Sequence, residues 1–156
     1  MTLKTLASAA AFATLATGAY ADDTSTVTAF YDLLSTPGSQ EHIAAFEAAT
    51  SDAWESLGDY SGPINHATPS SGRWAVFSQL IPDLDRDVQA MHQDGRFVTV
   101  RSRATGTPTG PLFGVDGEGR GFDIMTIDIH EIENGVILRS DHVEDWAGAL
   151  QQLAGR

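Results

Sequence analysis

The feature that most constrains this chain is its last fifth, residues 126–146, where apolar and polar residues alternate on both sides of Asn134-Gly135. Alternation sets a period of two, and Asn-Gly suits the two left-handed positions of a tight hairpin turn. The segment therefore reads as two long antiparallel strands. Such a hairpin is not stable alone and has to bury one face against other elements. It also gathers Asp128, His130, Asp141, His142, Glu144 and Asp145. A sheet curved around a pocket could aim several of these acids and imidazoles at one buried point, which is the local chemistry of proton transfer.

The rest of the chain supplies what the hairpin packs on. Val27, Phe30, Tyr31 and Leu34 fall at i, i+3, i+4 and i+7, the stripe of an amphipathic helix that Pro37-Gly38 ends. Ser39 starts a second helix through Ile43, Phe46 and Ala49, with Trp54 and Leu57 extending the helical region. A short helix over 73–80 carries Trp74, Phe77 and Leu80 and stops at Pro82. The period then changes to two on both sides of Asp94-Gly95, a second hairpin. A Gly- and Pro-rich connection over 106–121 leads to the final hairpin, and Trp146, Ala149, Leu150 and Leu153 form a closing helical stripe. Helices followed by a meander of long strands predict an α+β fold, with helices packed on one face of a strongly bent sheet. The space between them is a cone, a natural small-molecule cavity. On the strand entering the final hairpin, Phe122, Ile124, Thr126, Asp128 and His130 share one face. Met125, Ile127 and Ile129 share the other, which reads as the core face.

The N-terminus reads differently. Lys4 precedes an apolar, Ala-rich run over 6–16, and Ala19-Tyr20-Ala21 is an A-x-A cleavage pattern. Residues 1–21 are expected to be a secretory signal peptide, leaving 22–156 as a single domain in the periplasm or outside the cell. With 21 acidic residues against nine basic ones, the surface repels phosphate backbones and anionic headgroups. No nucleic acid or membrane partner is expected, and no later segment has the length to cross a bilayer. The absence of cysteine excludes disulfides, thiol nucleophiles and thiolate metal sites.

The candidate residues carry open alternatives. Asp145 directly precedes a helical stripe, so it is either an N-cap bonding the free amides of the first turn or a base pointing into the cone. The two roles compete for the same oxygens. Asp128 and His130 are either pocket groups or solvated strand residues. His142 and Glu144 lie on the strand face opposite Asp141 and Asp145, so all four cannot line one pocket without a bulge. The His-x-Glu and Asp-x-His spacings there are too common to argue for a metal, and none is expected. His66 and Trp54 fall in the irregular region that crosses the mouth of the cone. Gly117-x-Gly119-x-Gly121 precedes a strand rather than a helix, so it is no nucleotide fingerprint. No G-x-S-x-G is present for acyl chemistry.

Several segments together resemble a family. Ile81-Pro82-Asp83-Leu84, then Asp94-Gly95-Arg96-Phe97-Val98-Thr99-Val100-Arg101, then the Gly106–Gly114 stretch with Gly119-Arg120, and Asn134-Gly135-Val136-Ile137 leading to Asp145 are similar to the SnoaL-like polyketide cyclases. These belong to the nuclear-transport-factor-two-like cone superfamily. The resemblance implies a cofactor-free ring closure by intramolecular aldol chemistry on a small apolar or aromatic molecule. By the same resemblance Asp145 would be the base, Asp128 would occupy the position of a pocket histidine, and His66 would be a second pocket group. Trp54, His130, Asp141 and His142 would line the pocket, and a homodimer through the sheet is implied. The chain departs from the family pattern at Pro108, where Gly-Thr is usually followed by His, and at Asp141, where a Trp is usual. A non-catalytic periplasmic module holding a small ligand in the same cone is the alternative.

Overall fold

A computed structural model describes residues 23–58 and 73–156. The expected signal peptide and His66 lie outside the described residues. Helices α1 (Thr24–Ser35) and α2 (Gln40–Ala49) come first, then strand β1 (Thr50–Leu57) and helix α3 (Arg73–Leu80). Four further strands follow: β2 (Asp85–Asp94), β3 (Phe97–Gly106), β4 (Phe122–Glu133) and β5 (Val136–Glu144). Helix α4 (Trp146–Leu153) closes the chain. The sheet runs β1-β5-β4-β3-β2, antiparallel throughout except where β1 lies parallel to β5.

The helical stripes fall as their spacing requires. Val27, Phe30, Tyr31 and Leu34 are all buried, and the Ser39 hydroxyl caps α2 by accepting from the His42 amide. Both turns take the expected form: Gly95, Asn134 and Gly135 have positive φ, which Gly and Asn tolerate best. Residues 50–57 depart from expectation. Trp54 and Leu57 belong to a strand, because β5 offers an open edge whose ladder partners outweigh the local helical spacing.

The sheet is strongly curled. Arg86 on β2 reaches Glu144 on β5 at 3.3 Å across the concave face. Those strands stand three positions apart, about 14 Å in a flat sheet. One core cluster, built on Phe30, Phe46, Trp54, Val98 and Ile132, fills the space under α1 and α2. A second, built on Ile81, Phe122, Ile124 and Leu153, packs under α4. Along β4 the inner face passes from Phe122 and Ile124 in the second cluster to Ile132 in the first. Between them lies a buried polar band: Thr126, Asp128 and His130, joined by Ser102 and Ser140.

This reverses the expected sidedness of β4. The Phe122-to-His130 face is the interior one, while Met125, Ile127 and Ile129 are 41–55% exposed on the outer face. The polar side chains are inside because they hydrogen-bond one another and the helix above them, which removes most of the penalty for burying them.

Candidate active site

Five buried side chains from α1, β1, β4 and β5 form one continuous hydrogen-bonded chain. The Trp54 Nε1–H donates to Ser140 Oγ at 3.1 Å, and Ser140 Oγ lies 2.8 Å from His130 Nδ1. His130 Nε2 lies 3.2 Å from the Tyr31 hydroxyl, which donates to Asp128 Oδ2 at 2.6 Å. An indole can only donate, and that sets the direction. With each hydroxyl donating once, Ser140 gives its proton to Nδ1, His130 gives its Nε2–H to Tyr31, and Tyr31 gives its proton to Asp128. Every proton is used, and the carboxylate is the terminal acceptor. The assignment requires a neutral imidazole. Burial, followed by the charge of His142, pushes His130 down to about 4, and Phe30 packs edge-on against its ring.

Asp128 is the basic end of this chain. Burial raises its pKa from the ordinary carboxylate value, although the Tyr31 hydrogen bond and the Arg86 charge pull the other way. A carboxyl group so shifted is a stronger base than a solvated one and exchanges a proton nearer neutrality. Burial, then the Asp128 charge, drives Tyr31 far above its usual range, so it remains a phenol.

A second, charged cluster adjoins the first. The carboxylate of Glu144 lies 3.1 Å from His142 Nδ1 and 3.3 Å from Arg86 Nη2. The other imidazole nitrogen of His142 lies 3.1 Å from Ser56 Oγ. The Glu144 contact raises His142 above an ordinary histidine against the opposing effect of burial. Burial pushes Glu144 upward, but the His142 hydrogen bond and the His142 and Arg86 charges outweigh it and hold the carboxyl low. Gly58 makes room for this ring, since a Cβ there would stand 2.6 Å from His142 Cε1. One ligand atom from each of Asp128, His142 and Glu144 lies within 4.8 Å of the others, the one group of metal-competent spacing among the described residues. A divalent ion there would have to compete with the Arg86 cation and with a proton on His142.

A cavity of about 380 Å³ lies between α1 and β2 and opens to solvent. Tyr31, Thr28 and Ser35 line it from the helix; Arg86, Val88 and Met91 line it from the strand. Tyr31 and Arg86 thus join the cavity to the two clusters behind them.

The structure brings together Asp128, His130, Trp54 and His142 from the residues singled out in the sequence. Asp145 is placed elsewhere. It is exposed, and its Oδ1 accepts from the Gly148 amide at 2.9 Å as the N-cap of α4, so of its two readings the cap is the one its geometry fits. Asp141 is not in the pocket either: it sits on the outer face, half-exposed, paired with Arg139. Tyr31, Arg86, Ser140 and Ser56 were not singled out. Tyr31 gave one signal, a hydroxyl inside an apolar helical stripe, which has to find a partner once buried.

A curled, mostly antiparallel sheet with helices over its concave face and a polar band within is the nuclear-transport-factor-two-like cone. A protein of that description from Burkholderia thailandensis superposes with TM-score 0.62 at 16% identity, over 85% of this chain and 95% of that one. The family model SnoaL-like polyketide cyclase matches residues 71–153, and the chain belongs to this family. Wild-type IdmH from Streptomyces antibioticus is similar with TM-score 0.71 at 20% identity, covering 85% of this chain and 99% of that one. A SnoaL-like polyketide cyclase from Agrobacterium tumefaciens gives 0.64 at 18%, covering 81% and 93%. A search of curated protein sequences finds no significant match. Membership supports a cyclase- or isomerase-type role without a cofactor.

Proposed function

We propose that this chain abstracts a proton from a carbon next to a carbonyl in a small, largely apolar ketone or ester. The resulting enolate would go on to aldol-type ring closure or isomerisation. Asp128 is the base and Tyr31 orients it. The observation that carries this reading is the directed hydrogen-bond chain from Trp54 to Asp128, which fixes one carboxylate oxygen; the other would take the substrate proton. Family membership supports the reaction class, and the cavity beside Tyr31 supports a substrate of modest size. We infer also that a second copy of the chain packs on the outer face of the sheet. The exposed apolar stripe of Met125, Ile127, Ile129 and Val143 supports that reading.

The test is deuterium exchange at the α-carbon of 1-indanone and related aryl ketones in D2O, followed by NMR. The wild type should exchange faster than buffer, Asp128→Asn should fall to the buffer rate, and Asp145→Asn should retain exchange. The reading fails if Asp128→Asn stays active or if no aryl ketone exchanges above buffer. Ligand binding without exchange would establish the non-catalytic binding role instead.

A further inference from the structure

Arg86 is the least satisfied buried group among the described residues. Its side chain is 8% exposed, and Nη2 alone contacts Glu144. Nε and Nη1 are enclosed and have no hydrogen-bond partner among the described residues. Leaving two nitrogens of a guanidinium, with three N–H groups between them, unpaired away from water is costly, because each forgoes a charge-assisted bond it would make in solvent. The strand is held firmly enough to keep it there: the Arg86 amide donates to Ser35 Oγ at 3.0 Å, tying β2 to the end of α1. The side chain also borders the cavity, beside Tyr31.

The geometry points to Arg86 as the oxyanion donor of the proposed reaction, one of its free N–H groups, on Nε or on Nη1, receiving the substrate's carbonyl oxygen as that oxygen becomes an enolate. The inference rests on the proton-abstraction reading and names the substrate class within it. Asp32, Asp85 and Asp87 line the same cavity, all exposed, and Asp128, Glu144 and His142 face Arg86 from within. A ligand already negative would meet those rim carboxylates and a chain of net charge −12. A neutral ketone or ester meets no such barrier and acquires its charge only beside the guanidinium. In the balanced step, the C–H bond breaks, its proton passes to Asp128, and the electron pair moves through carbon to the oxygen facing Arg86. Donors set in place for charge that develops late are those that accelerate a reaction rather than tighten ground-state binding. Neither nitrogen touches solvent, so the oxygen must displace packed side chains to reach them. Met91, which shares the cavity wall, has the flexible side chain suited to yield.

The test uses 4-nitrophenol, whose anion is coloured and mimics an enolate oxygen, titrated with and without saturating full-length protein. Bound to the wild type, it should ionise about one pH unit lower or more than in free solution, a tenfold preference for the anion. Arg86→Lys should lose most of that shift. Because Arg86→Met strands Glu144, the double variant Arg86→Met with Glu144→Gln serves as the second test, and it should lose the shift entirely. In the exchange assay Arg86→Lys should slow the maximal rate about 10²-fold with little change in KM. The inference is overturned if the probe binds without a shift, if it does not bind, or if both variants retain the shift. Asp128→Asn should keep the shift while losing exchange. Loss of the Arg86 effect alone therefore sinks this inference and leaves the proton-abstraction reading standing.

Discussion

The two faces of β4 use the same alternation to opposite ends. Inward, Thr126, Asp128 and His130 are buried polar groups; outward, Met125, Ile127 and Ile129 are apolar and substantially exposed. Each face is mixed: Phe122, Ile124 and Ile132 flank the polar groups inside, and Asp123, Glu131 and Glu133 flank the apolar groups outside. The interior side carries an acid, an imidazole and their partners because Tyr31, Ser140 and Trp54 arrive from three other elements to complete the bonds. The exterior side carries apolar groups that no other described element covers. The contrast teaches that the partners a strand meets, and not its alternation alone, decide which side faces in, and it can be broken from either side.

The largest effect belongs to the inner face. Asp128→Asn keeps an acceptor for the Tyr31 proton and so preserves packing, yet removes the base. Exchange should fall by about 10² to 10⁴-fold, the usual contribution of a positioned general base. Circular dichroism and the unfolding midpoint check that the fold is retained. Activity within tenfold of wild type would remove Asp128 from the mechanism.

His130 comes next, through pH. Its folded pKa of about 4 lies below the ordinary 6.5, so the folded state binds fewer protons than the unfolded chain in that window. Its contribution is fully present above pH 6.5 and is lost as pH falls towards 4. The roughly 2.5-unit depression corresponds to about 3 kcal/mol. Asp128 acts in the opposite sense, because a raised carboxyl pKa favours the folded state at low pH. The wild-type profile therefore mixes the two. Comparing urea unfolding near pH 7 and near pH 4.5 in wild type and His130→Gln isolates the histidine: the wild type should lose more stability than the variant. Parallel losses would mean that His130 is protonated in the fold and that the directed chain is wrongly oriented.

The outer face gives a smaller effect on the chain itself. Ile127→Glu should change monomer stability by only about 0.5 kcal/mol, as an exposed substitution does. It should nevertheless weaken self-association by about tenfold or more, since a charge at the centre of an apolar contact has no partner. Sedimentation velocity across a concentration series reads this directly. A wild type that sediments as a monomer at all concentrations would show that the stripe is not a dimer face.

What could be read from the sequence follows from what each element depends on. The helices, the hairpins and their turns were legible because they rest on local period and on Asn134-Gly135 and Asp94-Gly95. The sidedness of β4 was not legible, since period two is symmetric and only the partners decide which face is in. Residues 50–57 carry no local sign of their strand, because their ladder partner on β5 lies more than 80 residues away. Asp128, His130, Trp54 and His142, which the structure brings together, are legible by residue type alone. Arg86 escaped because flanking Asp85 and Asp87 make it look like part of a solvated charge run. Tyr31 escaped because its ring fits an apolar stripe.

Asp145 is the smallest effect and the sharpest control. It sits where β5 hands over to α4, its amide bonded to the Met125 carbonyl and its carboxylate to the Gly148 amide. Gly148 is part of that cap, because a Cβ there would collide with the Asp145 carboxylate. Asp145→Ala should therefore cost about 1 kcal/mol through the lost cap, while Asp145→Asn or Asp145→Ser, which also cap helices, should cost less. None of the three should alter exchange at the substrate carbon. If the unfolding midpoints follow capping preference and exchange stays level, Asp145 belongs to the architecture of the strand end. If exchange instead collapses in Asp145→Asn while the midpoint holds, the base lies at the end of β5, and the buried chain at Asp128 is a structural network that shapes the cone.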